Sequence, residues 1–291
     1  MPELRLRRTL LMTPGNRPDR LAKAPSYGAD AVVFDLEDSV PADRKAQARD
    51  DVASALRELP RGHTERCVRI NGLDTPESRL DLQALPLAQV DSIMVPKVES
   101  ADALRALDAQ LRELEAKQGQ QAAIELIVML ETPRGILQAL PIADACARST
   151  ALFFGSGDYT SALGAAVDDL VLHYPRSVVT AAAAAAGLAA IDAAYFQDVK
   201  NAEATRRDAE TARRMGFDGK VVFHPSQVEP VNAVFTPTED ELERARRIVG
   251  AYEAGLRQGH GTGVIDGVFV AVDLVPPAQR LIARAAAIAA R

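Results

Sequence analysis

The stretch SIMVPKVESADALRALDAQLRELEAKQGQQAAIELIVML, Ser92–Leu130, decides the fold. It opens with an apolar run, Ser92–Pro96, and closes with another, Ile124–Leu130. Between them, Ser100–Gln118 carries Leu104, Leu107, Leu111 and Leu114 at helical spacing. Strand runs that are apolar throughout, instead of alternating, fit parallel strands covered on both faces. The segment therefore reads as one β–α–β crossover. The same rhythm continues outward, with strands expected at Thr9–Thr13, Ala31–Leu36, Cys67–Asn71, Ala151–Phe154, Ala189–Asp192 and Val221–His224. That makes eight. Eight β/α alternations in about 250 residues predict an α/β protein with a closed (β/α)8 TIM barrel ahead of a doubly wound open sheet. The sequence after the first strand, TPGNRPDR, carries no Gly-rich dinucleotide fingerprint.

The run Ala181–Ala186 reads as a helix with a small-residue face, stopped by Gly187. Past the eighth strand, Thr238–Gly255 opens with a capping box, Thr238 with Glu241. The Gly-rich GHGTGVIDG and an Ala/Arg-rich segment, Val272–Arg291, follow. The expected division is residues 1–236 as the barrel catalytic domain and 237–291 as a C-terminal helical extension: a lid, a loose appendage or an arm reaching a neighbouring subunit.

Composition narrows the function classes. The chain has 291 residues, and 34 Lys+Arg against 40 Asp+Glu leave a net charge of −6, which argues against a nucleic-acid binder with its basic face. Aromatics are only 4% and Trp is absent, so base-stacking platforms are not expected. No run approaches the ~18 apolar residues of a membrane helix, and Thr9–Thr13 is too short for a signal peptide. Two cysteines, Cys67 and Cys146, make neither a disulfide framework nor a metal cluster, so a reduced, cytoplasmic enzyme is expected.

Barrel chemistry sits where the strands end, and there polar residues cluster. The second strand runs into Asp35, Glu37 and Asp38; the third carries Arg69 and Asn71; the fourth ends at Lys97. The fifth ends ETPRG from Glu131, the sixth runs into Gly155–Asp158, the seventh ends at Asp192 and the eighth at His224-Pro225-Ser226-Gln227. Converging carboxylates repel unless a cation lies among them. Oxygen donors without Cys suit Mg2+ or Mn2+ better than Zn2+. Glu131 and Asp158, on consecutive strands, form the best ligand pair, with Glu37 and Asp38 placed to hold metal-bound waters; the competing reading has these acids capping helices or pairing with Arg and Lys. Arg69 suits a substrate carboxylate or an enolate oxygen, or an ion pair with Glu37 or Asp38. Lys97 reads as a charge-balancing partner ahead of a Schiff-base nucleophile, and His224 as part of a turn ahead of a base. His63, His173 and His260 have no informative context. The loop PGNRPDRLAK groups Arg17, Arg20 and Lys23, fit for a phosphate or for a solvated face.

Five segments, TPGNRPDRLAKA, VVFDLEDSV, RING, VPKVES and ETPRGI, followed by FFGSGDYTSALG and VVFHPSQV, together resemble the citrate lyase β-subunit-like branch of the HpcH/HpaI aldolase superfamily. Malyl-CoA and citramalyl-CoA lyases belong to it. The resemblance implies a (β/α)8 barrel assembling as a homotrimer or dimer of trimers, with Mg2+ held by Glu131 and Asp158. It implies that Arg69 and Glu131 contact substrate, and that the basic loop (Arg20, Lys23) and the HPSQ turn (Pro225, Ser226) help bind a CoA or acyl-carrier thioester. It also implies a catalytic base on a tail that reaches a neighbouring subunit, here Asp273 in VAVDLVPPAQRL. Two positions depart from the family pattern: Gly157 stands where an acid often precedes the metal Asp, and the tail motif from Gly267 to Pro276 is longer. The expected activity is Mg2+-dependent cleavage of a 3-hydroxyacyl thioester into an acetyl thioester and a 2-oxo acid. The alternatives are a class II aldolase on free acids and a citryl lyase β chain active only within a larger complex.

Overall fold

The computed structural model describes residues 5–120, 122–265 and 267–291. All eight expected strands form, as β1 (Thr9–Pro14), β2 (Ala31–Asp35), β3 (Glu65–Arg69), β4 (Ser92–Val95), β5 (Glu125–Leu130), β6 (Ser149–Phe154), β7 (Ala189–Asp192) and β8 (Gly219–Val222). They pair in chain order, every pair parallel, and β8 closes on β1. The protein is a (β/α)8 TIM barrel.

The intervening helices form for the reasons read from the sequence. Ala101–Gln118 starts at Ser100, whose side chain accepts from the Ala103 amide, and ends at left-handed Gly119. Asp169–Ala186 stops at Gly187, also left-handed. β3, β6 and β8 begin two residues before their expected positions, because Glu65, Arg66, Ser149, Thr150, Gly219 and Lys220 did not read as strand. Gly219 is required by closure: a Cβ there would lie 1.8 Å from the Arg7 carbonyl oxygen on the neighbouring strand edge.

Two-residue alternation fills the lumen. Leu10 and Met12, Ala31 and Val33, Cys67, Met94, Ile127 and Met129, Ala151 and Phe153, Ile191 and Val221 form one buried cluster. Burial pushes the Cys67 thiol up to about 12, so it is inert. Beneath this plug, polar side chains from four strands meet Arg7, which precedes β1. The Arg7 guanidinium donates to Glu65 at 2.8 and 2.7 Å, to Glu125 at 2.6 Å and to Thr150 at 2.9 Å, while the Ser92 hydroxyl donates to Glu65 at 2.6 Å. Thr150 is the extra residue of a bulge between β5 and β6. Arg7 and Glu65 are almost fully enclosed, so each charge depends on the other.

The chain divides into two compact units, residues 7–232 and a second that joins residues 5–6 to 233–291. In the second, helix Glu239–Arg257 starts with the reciprocal Thr238–Glu241 box and packs against helix Val275–Ala289. The Gly-rich segment between them, for which the sequence offered no element, holds a short antiparallel hairpin, β9 (Gly263–Ile265) with β10 (Val268–Val270). Three-residue strands are too short to register as alternation. Asp266 lies outside the described residues.

Arg7→Met should remove the guanidinium that balances the Glu65 charge in the interior. The expected loss is about 3–5 kcal/mol, or roughly 10 °C in Tm. Thermal melting followed by circular dichroism checks it; an unchanged Tm would mean the ion cluster carries no stability.

Candidate active site

Alternation along the strands also decides which polar residues reach the mouth. Asp35 follows Ala31 and Val33, and Arg69 follows Cys67, so both continue inward, and the two are register partners. Arg69 donates from Nε and Nη2 to the two Asp35 carboxylate oxygens at 2.6 and 2.7 Å, a bidentate fork. Burial alone would raise the Asp35 pKa, but Arg69 holds it below the ordinary value. The remaining nitrogen, Nη1, lies 2.8 Å from Glu37 and 3.8 Å from Asp38. The sequence had offered Glu37 or Asp38 as partners of Arg69; Asp35 takes the main role because it lies level on the next strand.

Glu131 continues the inward column of Ile127 and Met129. Thr132 then caps the helix Pro133–Leu137 by accepting from the Gly135 amide, with Pro133 at the first turn. The carboxylate is buried and accepts a hydrogen bond from the Lys97 amide at 2.9 Å. The next inward position on β6 is Gly155, and a Cβ there would come within 2.6 Å of Glu131 Oε2. Glycine thus leaves the room in which Glu131 lies. Burial, then the charges of Glu37 and Asp158, push the Glu131 carboxyl up to about 8. Glu37 is raised as well, by burial first, against the pull of Arg69 and Lys97.

Asp158 sits in the first turn of helix Ser156–Leu163. Its Oδ2 is buried, accepts no hydrogen bond, and lies 3.5 Å from the Lys97 ammonium. That ammonium also pairs with Glu37 and, at 3.4 Å, with Asp38. Partial burial opposes the lysine charge, but these acids hold its pKa well above the usual lysine value. Lys97 is thus a charge-balancing residue. Lys45 was not singled out in the sequence; its ammonium bonds the Leu36 and Glu37 carbonyls and Asn71, fixing the turn that carries Glu37. Asn71 itself is spent on Asp81 and Leu36.

Asp192, expected among the mouth acids, is elsewhere. Ile191 points into the lumen, so Asp192 points out, where it is buried against Arg176 and Lys220. Those two cations also meet Asp208, and Arg176 lies 3.7 Å from exposed Asp169, making an ion cluster behind the barrel wall.

A cavity of about 730 Å3 opens over these residues, within the range of small-molecule sites. Asp35, Asp38, Arg69, Glu131 and Asp158 line it together with Met129, Phe153 and Gly155–Gly157. Arg20, His224, Pro225 and three exposed aromatics, Tyr27, Phe196 and Phe223, complete its wall. The aromatics escaped notice because nothing in their local pattern separates a rim ring from a core ring. In the basic loop the helix is four residues long, Pro18–Leu21; Arg17 pairs with Asp19, and Lys23 is exposed. His224 Nδ1 accepts from the Ser226 amide, and the Ser226 hydroxyl donates to the Val199 carbonyl, so both hold the turn after β8. Asp273 is exposed on a short turn, Val272–Leu274, of the second unit.

Residues 8–225 match the model of the HpcH/HpaI aldolase/citrate lyase family. A (3S)-malyl-CoA thioesterase of Cereibacter sphaeroides is 39% identical over 97% of this chain and 96% of its own. Citrate lyase subunit beta of Leuconostoc mesenteroides subsp. cremoris is 36% identical over 95% and 92%. Among solved structures, CitE of Mycobacterium tuberculosis in complex with magnesium, acetoacetate and coenzyme A superposes with a TM-score of 0.73, at 33% identity, over 97% of this chain and all of that one. Barrel, mouth and sequence agree: this chain belongs to the HpcH/HpaI aldolase/citrate lyase family.

Proposed function

We propose that this chain is a Mg2+-dependent carbon–carbon lyase that cleaves a 3-hydroxyacyl-CoA, such as malyl-CoA or citramalyl-CoA, into an acetyl thioester and a 2-oxo acid. The observation that carries this reading is the buried Glu131 carboxyl, flanked by Glu37 and Asp158 and pushed up to about 8, at the base of a cavity that also presents a fixed arginine. A cation is the missing charge. The donors fit one: all are oxygens, and Asp158 Oδ2 is buried without a hydrogen bond. Among the described residues no three acid, His or Cys side chains form a complete protein cage. Two carboxylates, Glu131 and Asp158, suit Mg2+, which keeps several waters and takes its remaining ligands from substrate; Mn2+ suits the same donors.

When bound, Mg2+ supplies a Lewis acid for the hydroxyl and carboxylate oxygens of a malyl-type unit. The protein supplies the rest. Glu37 and Asp38 stand in the same cluster to accept the hydroxyl proton. As the carbon–carbon bond breaks, its electron pair passes to the thioester carbonyl oxygen, giving an enolate. Arg69 meets that charge with the Nη1 edge it turns toward Glu37 and Asp38; locked by Asp35, it needs no reorganisation at the moment of reaction. Arg20 and Pro225 line the side where the thioester carrier would lie, with Lys23 and Ser226 next to them in the chain, and Tyr27, Phe196 and Phe223 offer it apolar faces. Asp273 protonates the enolate carbon in cleavage and removes that proton in condensation, reaching the site of a neighbouring copy in a homotrimer or dimer of trimers. Val264, Phe269, Val272 and Leu274, close to it in sequence, are exposed, as a docking segment requires. On the barrel, exposed Leu137, Leu140, Leu163, Leu170 and Tyr174 support self-association as well. Both cysteines are unpaired, and among the described residues no helix is long and apolar enough to cross a membrane; this supports a cytoplasmic setting.

A second reading is favoured by the malyl-CoA thioesterase among the relatives. There water would attack the thioester carbonyl, and Arg69 would stabilise the resulting oxyanion by the same geometry. The products separate the two, since hydrolysis releases a free thiol and cleavage does not.

With malyl-CoA and Mg2+, the isolated chain should release a 2-oxo acid without a matching free thiol, read by phenylhydrazone formation and thiol titration. Free thiol in equal amount would establish hydrolysis, and no turnover by the isolated chain would favour the multi-subunit complex. A Tm unmoved by CoA thioesters would favour the free-acid aldolase. Asp158→Ala should abolish Mg2+-dependent turnover with the circular dichroism spectrum intact, and Arg69→Lys should slow it by roughly 10²–10³; full activity in either removes that residue from the chemistry. Removing the residues after Gly267 should leave the barrel folded and the rate steeply reduced, and a fast truncated enzyme would exclude Asp273.

A further inference from the structure

Lys97 is the single non-glycine residue with a left-handed backbone among the described residues, at φ +51°. A side chain with a Cβ avoids that region unless its surroundings over-determine it. Two-residue alternation along β4 sends Ile93 and Val95 out of the lumen and would send Lys97 with them. The left-handed turn breaks the alternation. It aims the Lys97 amide at Glu131 Oε1, at 2.9 Å, and lets its ammonium reach Glu37, Asp38 and Asp158. One strained residue thus serves four carboxylates of the mouth.

The two cations in this cluster differ in kind. Arg69 is held by a bidentate fork on Asp35 and is 9% exposed. Lys97 is a compact point charge on a flexible four-carbon stem, 40% exposed, with its nitrogen 3.5 Å from a buried Asp158 oxygen that accepts no hydrogen bond. An ammonium that close to a carboxylate oxygen cannot keep its place beside a divalent ion on the same oxygen, because like charges at such range repel strongly.

We propose that Lys97 is a tethered stand-in cation, which neutralises Asp158 in the metal-free protein and gives way when a divalent ion binds, so that it holds the acids in place and lowers metal affinity at the same time. This rests on the reading of Glu131 and Asp158 as the metal carboxylates. The backbone amide stays on Glu131 throughout; only the side chain shifts, drawing back from Asp158 while it keeps the pairing with Glu37 and Asp38 that it already has. Lys97 is a positioning residue, and no bond of the substrate passes through it.

The test is titration of the full chain with Mn2+ alone, free Mn2+ being read by electron paramagnetic resonance. Lys97→Asn tolerates the left-handed backbone and keeps the amide while removing the charge; its Mn2+ Kd should fall roughly tenfold, and its metal-free Tm should also fall. Lys97→Arg should bind close to wild type. A second measurement needs no variant: acetic anhydride labelling of Lys97 in the wild-type chain, read by mass spectrometry, should rise as Mn2+ is added. Unchanged or weaker Mn2+ binding by Lys97→Asn, or labelling that does not rise, overturns the stand-in role while leaving the metal reading intact. If the wild-type chain binds no Mn2+, both readings fall together.

Discussion

A parallel strand sends alternate side chains to opposite faces, and in a closed barrel one face is a lumen with no other exit than its two ends. The strand-borne part of the site follows from that constraint. Asp35, Arg69 and Glu131 reach the mouth because they continue inward columns whose lower members are Val33, Cys67 and Met129. Asp192 does not, because its column faces the helices. Two acids that look alike at strand ends are therefore separated by a barrel wall.

The two ends of the lumen handle charge differently. At the lower end Arg7 is matched to Glu65 and Glu125 by direct, short hydrogen bonds. Each member of this arrangement is held by a direct hydrogen bond. At the upper end Asp35 is matched to Arg69, and then Glu37, Asp38, Glu131 and Asp158 share one lysine and the spare edge of the arginine. Burial of that surplus is unfavourable, which appears in the raised Glu131 and Glu37 carboxyls. A stable protein tolerates this where a bound cation and substrate relieve it. Small residues finish the arrangement: Gly155 has no side chain where one would displace Glu131.

Arg69 and Lys97 divide the cationic work. The arginine is held by a bidentate fork on Asp35 and is 9% exposed, in line with the proposed contact with substrate. The lysine stands on a flexible stem and is 40% exposed, in line with the proposed stand-in role. Their difference originates in the backbone, for Arg69 lies within a regular strand, whereas Lys97 stands just beyond one in a conformation that regular strands exclude.

The repeated β/α rhythm, with Leu104, Leu107 and Leu111 marking one crossover helix, was enough to put a barrel ahead of an open sheet, because hydrophobic periodicity is a local property that the chain carries residue by residue; closure itself is shown only by the pairing of β8 with β1. Cap residues such as Ser100, Thr238 and Gly187 were legible for the same reason. The acid cluster at the strand ends was visible too, together with Arg69 as its arginine. Other features depended on folding. The partnership of Asp35 with Arg69 joins residues 34 positions apart, and only strand register brings them level. The left-handed turn at Lys97, the outward fate of Asp192, the aromatic rim and the β9–β10 hairpin carry no periodic signal, since each arises where one strand, loop or helix meets another. Sequence alone determined which chemistry the chain could assemble; tertiary structure decided which acids share a cavity, because proximity across a barrel is set by register and facing, and neither is written in any single segment.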